Sequence, residues 1–300
     1  AYSIKKEDPN DVVVETITSL VPEKGNVGLE LDDPWAPMRV DISLADYEII
    51  RNQLSNLTIV DCARLLWDLR MIKSPREIQC LTEACEITYH AFQVAFESMY
   101  EGMTERELLQ IAYLDMIKRG GFDDPLFAFL HIRSGPERHR ISDPRPTDKK
   151  IKKGDLVGFD GGAAIKGYFA DMIRLGCISP SKKQMEMFNV AAQACDKGVE
   201  MLVPGTPIKD VVSEALNVIK KAGYEKHIPF TVVGHGIGLD IHEPPVLDYP
   251  HGDAVIEEGM VLAIEPFFKL GEGSYAQEDN LVITKSGPKN LTHLKKTLQW

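Results

Sequence analysis

Five ionisable side chains in the second half of this chain interrupt stretches that otherwise belong in a protein interior. Asp160 comes after Val157 and Phe159, Asp171 lies between Ala170 and Met172, and His235 has glycine on both sides at the end of an apolar run. Glu265 breaks the run MVLAIEPFF, and Glu278 heads another apolar segment in QEDNLVIT. Burying an unpaired carboxylate costs several kcal/mol, so a fold that takes these segments inside has to neutralise, pair or coordinate them. Asp160, Asp171, His235, Glu265 and Glu278 together read as a ligand set for two divalent cations. Four carboxylates and one imidazole form a hard, oxygen-rich set. That favours Mn, Fe, Co or catalytic Zn over structural zinc, which prefers thiolates.

Bulk properties set the bounds. At 300 residues the chain can build one sizeable domain and a smaller one. Hydrophobic residues at 44% and charged residues at 26% match a soluble globular protein. No stretch approaches the roughly 18–20 uninterrupted apolar residues of a membrane span, and no signal peptide opens the sequence, so a cytoplasmic protein without a membrane partner is expected. A net charge of −11 argues against nucleic acid as the main partner, because phosphate binding needs a cationic face. The five cysteines (Cys62, Cys80, Cys85, Cys177, Cys195) are odd in number and lack Cys-x-x-Cys spacing. They read as buried reduced thiols.

Along the chain, Ala1 to Asn10 is polar and reads as a strand or loop, and residues 12–20 as a helix or strand end. Residues 26–31 read as a short strand before the turn DDPWAP. Ser43 is an N-cap for a helix over 43–54, and LTIVD is a strand ending at Asp61. This alternation predicts a small α/β domain, or a fragment of one, over residues 1–73. Ser74 as cap and Pro75 as first residue open a long helix, about 75–98, and mark the start of a second domain over 74–300. Thr104 and Glu107 form a capping box for the next helix. Strands near 126–133 and 155–178 follow. Helices over about 181–202 and 207–222 then precede strands near 230–236, 260–268 and 276–284. The order helix, helix, strands occurs twice. It predicts two similar halves and an α+β domain with an antiparallel sheet covered by helices.

Residues 155–178, DLVGFDGGAAIKGYFADMIRLGCI, carry a hairpin signal. A turn centred between Ile165 and Lys166 sets Asp160 opposite Asp171, with Cβ atoms about 4.5–5.5 Å apart. Two carboxylates that close on a buried face repel unless a proton or cation lies between them. Asp155, beside Lys152 and Lys153, reads instead as an exposed acid. In TVVGHGIGLDIHEPP the glycines around His235 let the backbone approach something closely. A lone buried histidine is more often a satisfied core residue than a ligand, but the glycines and nearby His242 shift that balance. Glu243 reads as solvated. Of Glu278 and Asp279 only one can point into a given face, and spacing does not choose between them. Arg133, Arg138, His139, Arg140 and Arg145 gather in or beside one loop. Such a run is most often a solvated loop. The sharper reading is a clamp on a substrate carboxylate at the site mouth, with Arg140 or Arg145 as its best candidates.

The motifs FDGG…GYFAD, GHGIGLDIHEPP, AIEP and QEDNLVIT occur in an order that resembles metallopeptidase family M24 over about residues 74–300. That family holds methionine aminopeptidases, aminopeptidase P, prolidase and creatinase, and its shared catalytic domain is called the pita-bread fold. DLRMIKSPREIQCLTEACEITYHAF resembles the first long helix of the prolidase and aminopeptidase P branch. Residues 1–73 resemble the later part of that branch's creatinase-type N-terminal domain, which methionine aminopeptidases lack.

The resemblance implies Asp160 on one metal, Asp171 and Glu278 bridging both, and His235 and Glu265 on the other. It thereby selects Glu278 over Asp279. It implies that Glu265 shuttles a proton to the leaving amine and that His242 hydrogen-bonds the substrate. The implied activity is metal-dependent hydrolysis of Xaa-Pro bonds, as a dipeptidase or aminopeptidase, by a water that two metal ions activate. The alternative is a small amide or zwitterionic substrate, as in ectoine hydrolase or dimethylsulfoniopropionate lyase. A non-catalytic binding protein ranks last, because the ligand set is intact. A homodimer in which the small domain narrows the partner's site is also implied. Two positions depart from the family pattern. The substrate-contacting histidine four residues before the threonine of a Pro-Thr pair is Asp143 here, with His139 as the nearest imidazole. The arginine two residues before the last ligand is Ala276. Both changes touch substrate handling and leave the ligand set untouched.

Overall fold

The segment over 12–20 is helical and begins earlier than expected, as Pro9–Leu20 (α1). It belongs to a computed structural model that describes residues 9–21, 24–31, 42–121, 129–140, 145–271 and 273–300. The chain divides into two compact units, Ala1–Arg70 and Met71–Trp300, three residues ahead of the boundary expected at Lys73 and Ser74. In the first unit, strands Asn26–Leu29 (β1) and Thr58–Asp61 (β2) pair in parallel, with Val27 beside Ile59. Between them lies the helix Leu44–Gln53 (α2), whose Ser43 cap accepts the Asp46 N–H. Val14, Ile50 and Leu54 form a small core. A further helix, Ala63–Met71 (α3), which the sequence reading did not anticipate, follows β2 directly. The DDPWAP turn lies outside the described residues.

The second unit repeats a plan of two helices followed by strands. Pro75–Glu97 (α4) starts at a capping box of Ser74 and Glu77, and Glu105–Lys118 (α5) at one of Thr104 and Glu107. After them come Phe129–Ser134 (β3), Gly135–Arg140 (α6), Leu156–Gly162 (β4), Ala164–Ile165 (β5), Tyr168–Phe169 (β6) and Met172–Cys177 (β7). The second pair of helices is Lys182–Met201 (α7) and Ile208–Lys221 (α8). The strands that follow are Gly234–Gly236 (β8), Glu243–Val246 (β9), Val261–Ile264 (β10), Phe267–Leu270 (β11), Gly273–Ala276 (β12), Asp279–Thr284 (β13) and Gly287–Asn290 (β14). Among the described residues, one sheet has the order β3-β4-β7 and a larger one β14-β13-β10-β8-β9, with β5-β6 and β11-β12 as separate ribbons. All these pairings are antiparallel.

Helical spacing puts Ile208, Val211, Val212, Ala215, Leu216 and Ile219 of α8 on one buried face, in a core shared with α7. Each fully buried branched aliphatic there contributes about 1.5–3 kcal/mol. A second core gathers α4 and α5 around Phe92, Phe96 and Phe159. No helix among the described residues is long and apolar enough to cross a membrane.

Two expected strands are broken, and both breaks serve the site. The strand near 260–268 stops at Ile264 and resumes at Phe267. Pro266 has no N–H to give to a ladder, so the chain leaves the sheet and β11 pairs with β12 instead. The strand near 276–284 divides likewise, leaving Gln277 and Glu278 between β12 and β13. Glu265 and Glu278 therefore sit at strand ends, where side chains can converge from adjacent strands.

Candidate metal centre

The first two acids come from the β4–β7 hairpin, in a register that differs from the expected one. Lys166 and Gly167 both have left-handed φ angles, 51° and 82°. They form the two-residue turn of the β5–β6 ribbon, with Ile165 opposite Tyr168. The turn centre thus lies one residue later than expected, and Asp160 faces Ile173 rather than Asp171. Asp171 precedes β7 and is held from another strand. Asn280 accepts the Asp171 backbone N–H at 3.0 Å, and its side-chain amide donates to the Asp171 carbonyl at 2.5 Å. This two-point clip brings Asp171 beside Asp160.

The other three candidates share one face of the larger sheet. His235 on β8 and Asn280 on β13 both oppose Ala263 of β10. Continuing the β10–β13 register one residue beyond Ile264 and Asp279 sets Glu265 against Glu278. Side chains alternate along a strand, so His235, Glu265, Glu278 and Asn280 lie on one side and Asp279 on the other. There Asp279 meets Arg174 at 2.6 Å and Lys296 at 2.7 Å. Burial raises the Asp279 pKa, and the two cations outweigh that to hold it low. The structure therefore separates Glu278 from Asp279 on physical grounds. Close approach explains the glycines around His235: a Cβ on Gly234 would collide with the Ala263 carbonyl, and one on Gly236 with that of Pro244.

The His235 ring is aimed by its own neighbour. Nδ1 lies 2.9 Å from the Gly236 carbonyl, which makes it the protonated nitrogen and leaves the Nε2 lone pair free. Nε2 is 3.6 Å from Glu265, 3.8 Å from Asp171 and 3.8 Å from Glu278. Burial, reinforced by His242, pulls the His235 pKa down to about 3, so the ring is neutral. Burial and then Asp160 push Glu265 up to about 8. Burial raises Asp171 and Glu278 well above the carboxylate range, with the neighbouring acids adding to it.

The donor atoms of Asp160, Asp171 and Glu278 lie within 4.8 Å of one another, as do those of His235, Glu265 and Glu278. Asp171 Oδ1, His235 Nε2 and both Glu278 carboxylate oxygens are buried without a hydrogen-bond partner. Orphaned acceptors converging in this way fit divalent cations, because no protein donor satisfies them.

Beside these groups lies a cavity of about 230 Å³. One wall is a face of the β3-β4-β7 sheet, with His131, Arg133, Gly158, Asp160, Ile173 and Leu175. The other is a face of the β11–β12 ribbon, with Phe267, Lys269, Ser274 and Ala276, and Glu265 and Phe230 close the space between them. His242 stands exposed at the edge of the centre, its ring 4.3 Å from that of His235.

Several expectations on the substrate side need correction. His139 lines the cavity, but both ring nitrogens are engaged: Nε2 faces the Leu156 carbonyl at 3.0 Å and Nδ1 accepts the Ser274 N–H at 3.2 Å. Burial lowers its pKa to about 4, so it is a neutral wall residue without a spare nitrogen for substrate. Arg140 is exposed, bonds back to the Pro136 carbonyl at 3.3 Å, and does not line the cavity. Asp143 lies outside the described residues. Nor is the arginine-rich segment uniformly solvated: Arg138 is buried against Glu105, whose carboxylate also accepts from Ser134 and Thr147. Glu243 is buried too, paired with Lys73 at 2.9 Å. Sequence reading missed His131 and Lys269 altogether; it counted Arg133 within the arginine group of the carboxylate clamp but put Arg140 or Arg145 ahead of it. The alternation in HIRS was the available signal, since His131 and Arg133 share the face on which Asp160 lies.

A profile of metallopeptidase family M24 matches residues 79–285. The chain is 37% identical over 234 residues to a Xaa-Pro dipeptidase of Pyrococcus horikoshii, an alignment covering 77% of this chain and 65% of that protein, less than two thirds of its length. It superposes on a prolidase from Pyrococcus furiosus with a TM-score of 0.82 and 30% identity, covering 98% of this chain and 82% of that one. An X-Pro aminopeptidase from Thermotoga maritima gives the same TM-score of 0.82 at 26% identity, with 99% and 81% covered. The α+β pita-bread architecture expected from the motifs is the one these structures share. With a family profile spanning both halves of the second unit and the fold in agreement, this chain belongs to metallopeptidase family M24.

Proposed function

We propose that this chain hydrolyses Xaa-Pro peptide bonds with two divalent cations held by Asp160, Asp171, His235, Glu265 and Glu278. The observation that carries this reading is the set of buried, unsatisfied donor atoms on Asp171, His235 and Glu278. The names of similar proteins support a peptidase over a hydrolase of small amides or zwitterions. Asp160 would serve one ion, His235 and Glu265 the other, and Asp171 and Glu278 both. Divalent ions in such a site supply a water of lowered pKa and Lewis-acid polarisation of a carbonyl; manganese, cobalt, zinc and iron all suit the donor set.

The protein's own groups supply the rest. Glu265, which lines the cavity, is suited to take a proton from the attacking water and return it to the leaving amine. His242, exposed at the edge of the centre, is placed to hydrogen-bond the substrate carbonyl or the oxyanion that replaces it. Phe230, Phe267, Ile173 and Leu175 offer an apolar surface for a proline ring. Asn280 keeps Asp171 in place by its two backbone hydrogen bonds.

The test is an assay of chelated enzyme, and of enzyme restored with Mn, Co or Zn, on Gly-Pro, Ala-Pro and a longer Xaa-Pro peptide. Activity that returns with metal on dipeptides alone marks a dipeptidase; cleavage of the longer peptide marks an aminopeptidase. Metal-independent turnover, or none on any of these, ends the reading. Residues 1–73 as the later part of a creatinase-type domain, a cytoplasmic location and a homodimer belong to the same proposal. Sedimentation of the full chain tests the dimer.

A further inference from the structure

The cavity beside the metal centre carries more positive charge than the hydrolytic chemistry needs. Arg133 stands on β3 opposite Gly158 and lines the cavity. Its Nη2 is 3.6 Å from Asp160, and its Nε is buried without a hydrogen-bond partner. Lys269 lines the other wall from β11, with its ammonium 6.0 Å from the centre of the Phe267 ring. Four carboxylates crowd the centre, and two divalent ions would neutralise them in full. Arg133 and Lys269 then remain as uncompensated cations facing a confined space, and a confined positive field selects an anion. Directly opposite Phe267 on the ribbon is Ala276, where the family pattern has an arginine. A methyl group there leaves the volume open and brings no charge.

We propose that Arg133, assisted by Lys269, binds a free carboxylate of the substrate, which moves the anion subsite from the β12 position of Ala276 to β3 and β11. The proposal rests on the two-metal reading for the uncompensated charge of the subsite, because Arg133 otherwise pairs with Asp160, and on the Xaa-Pro reading for the identity of the substrate. A guanidinium with open donors takes a carboxylate in a two-point contact, and the adjoining Phe267 and Phe230 faces accept the apolar ring that carries it. The carboxylate then lies within the cavity, and a dipeptide acid gains an ionic contact there that its amide cannot make. The sequence-based choice of Arg140 or Arg145 as the clamp is replaced by Arg133, because Arg140 points away from the cavity and Arg145 is exposed outside it.

The experiment uses the full chain loaded with Mn²⁺ and compares Ala-Pro with Ala-Pro amide as substrates. Wild type should prefer the acid, and Arg133→Ala should cut the acid-to-amide ratio of kcat/KM by about tenfold or more, chiefly through KM. Arg133→Lys should recover part of the ratio, Lys269→Ala should lower it a few-fold, and Arg140→Ala should leave it unchanged. Binding of L-proline and L-prolinamide, followed by calorimetry, gives a second readout that does not depend on turnover. If no Xaa-Pro compound is hydrolysed, the activity proposal fails alone, provided that proline still binds more tightly than prolinamide and loses that advantage in Arg133→Ala. Equal handling of acid and amide by wild type overturns the subsite, and so does a ratio that Arg133→Ala and Arg133→Lys leave intact.

Discussion

Asp171 is a costly residue for this fold to bury without a cation. Its carboxylate is buried, one oxygen has no donor, and burial with Asp160 and Glu265 nearby raises its pKa. Asp171→Asn removes that repulsion while removing a candidate metal ligand. Chelated Asp171→Asn should therefore melt about 2–4 °C higher than chelated wild type, for each kcal/mol relieved, yet retain little manganese. Thermal melts in chelator and metal analysis after dialysis check both halves of this statement. A variant that melted lower and kept its metal would show that Asp171 is not under electrostatic strain. A pH prediction follows from Glu265 and His235. With a folded pKa near 8 against an ordinary 4.5, Glu265 adds stability below about pH 4.5 and loses it as pH rises through 8. His235, held to about 3 against 6.5, acts in the opposite sense: its contribution is full above pH 6.5 and fades as pH falls toward 3. Asp171 and Glu278, raised likewise, act in the same sense as Glu265 and together outweigh His235, so chelated protein should weaken steadily as pH rises from about 4.5 toward 8, whereas manganese should abolish that loss. The four acids and the imidazole were legible in the sequence because each breaks an apolar segment. Arg133 and His131 were not, since their place beside Asp160 depends on a cross-strand register that no local pattern states.

Helix starts were readable because caps are local: Ser74 with Glu77 and Thr104 with Glu107 form within four residues of one another. Strand ends were less so. The hairpin register turned on whether Ile165 or Gly167 closed the turn, and a glycine in a left-handed conformation decided it. Glu243 shows the limit most plainly. Beside two prolines it reads as a solvated loop acid, yet its partner Lys73 is 170 residues away in sequence, just ahead of α4, and their side chains are 1% and 2% exposed. This pair ties the segment before α4 to β9 and so to the loop that presents His242. Removing one partner leaves the other charge buried without its counter-ion, so Lys73→Met should destabilise the protein by about 3–5 kcal/mol. Replacing both, as Lys73→Met with Glu243→Leu, should recover much of that loss, because two apolar side chains leave no stranded charge. Denaturant titration of the two variants decides the matter; equal losses in both would mean that the pair is not what holds the segments together.

Across the molecule, the candidate ligands are divided between the two similar halves of one unit. Asp160 and Asp171 come from the first set of strands, and His235, Glu265 and Glu278 from the second. A cation shared among them cross-links segments more than a hundred residues apart, so metal binding should stabilise Met71–Trp300 as a whole rather than one loop. The first unit has its own small core of Val14, Ile50 and Leu54 and, among the described residues, supplies no candidate ligand. At a hundredfold excess of free Mn²⁺ over its dissociation constant, the linkage is worth about 2.7 kcal/mol, or a rise of roughly 5–10 °C for a unit of this size. Calorimetry of the full chain should show that rise in the transition of the second unit, and a protein lacking residues 1–70 should keep it. Because both large cores and every candidate ligand lie beyond Arg70, the shortened chain has what it needs to fold and to hold metal. A shortened chain that melts cooperatively but takes up no manganese would mean that the site draws on the first unit for more than its own five side chains provide.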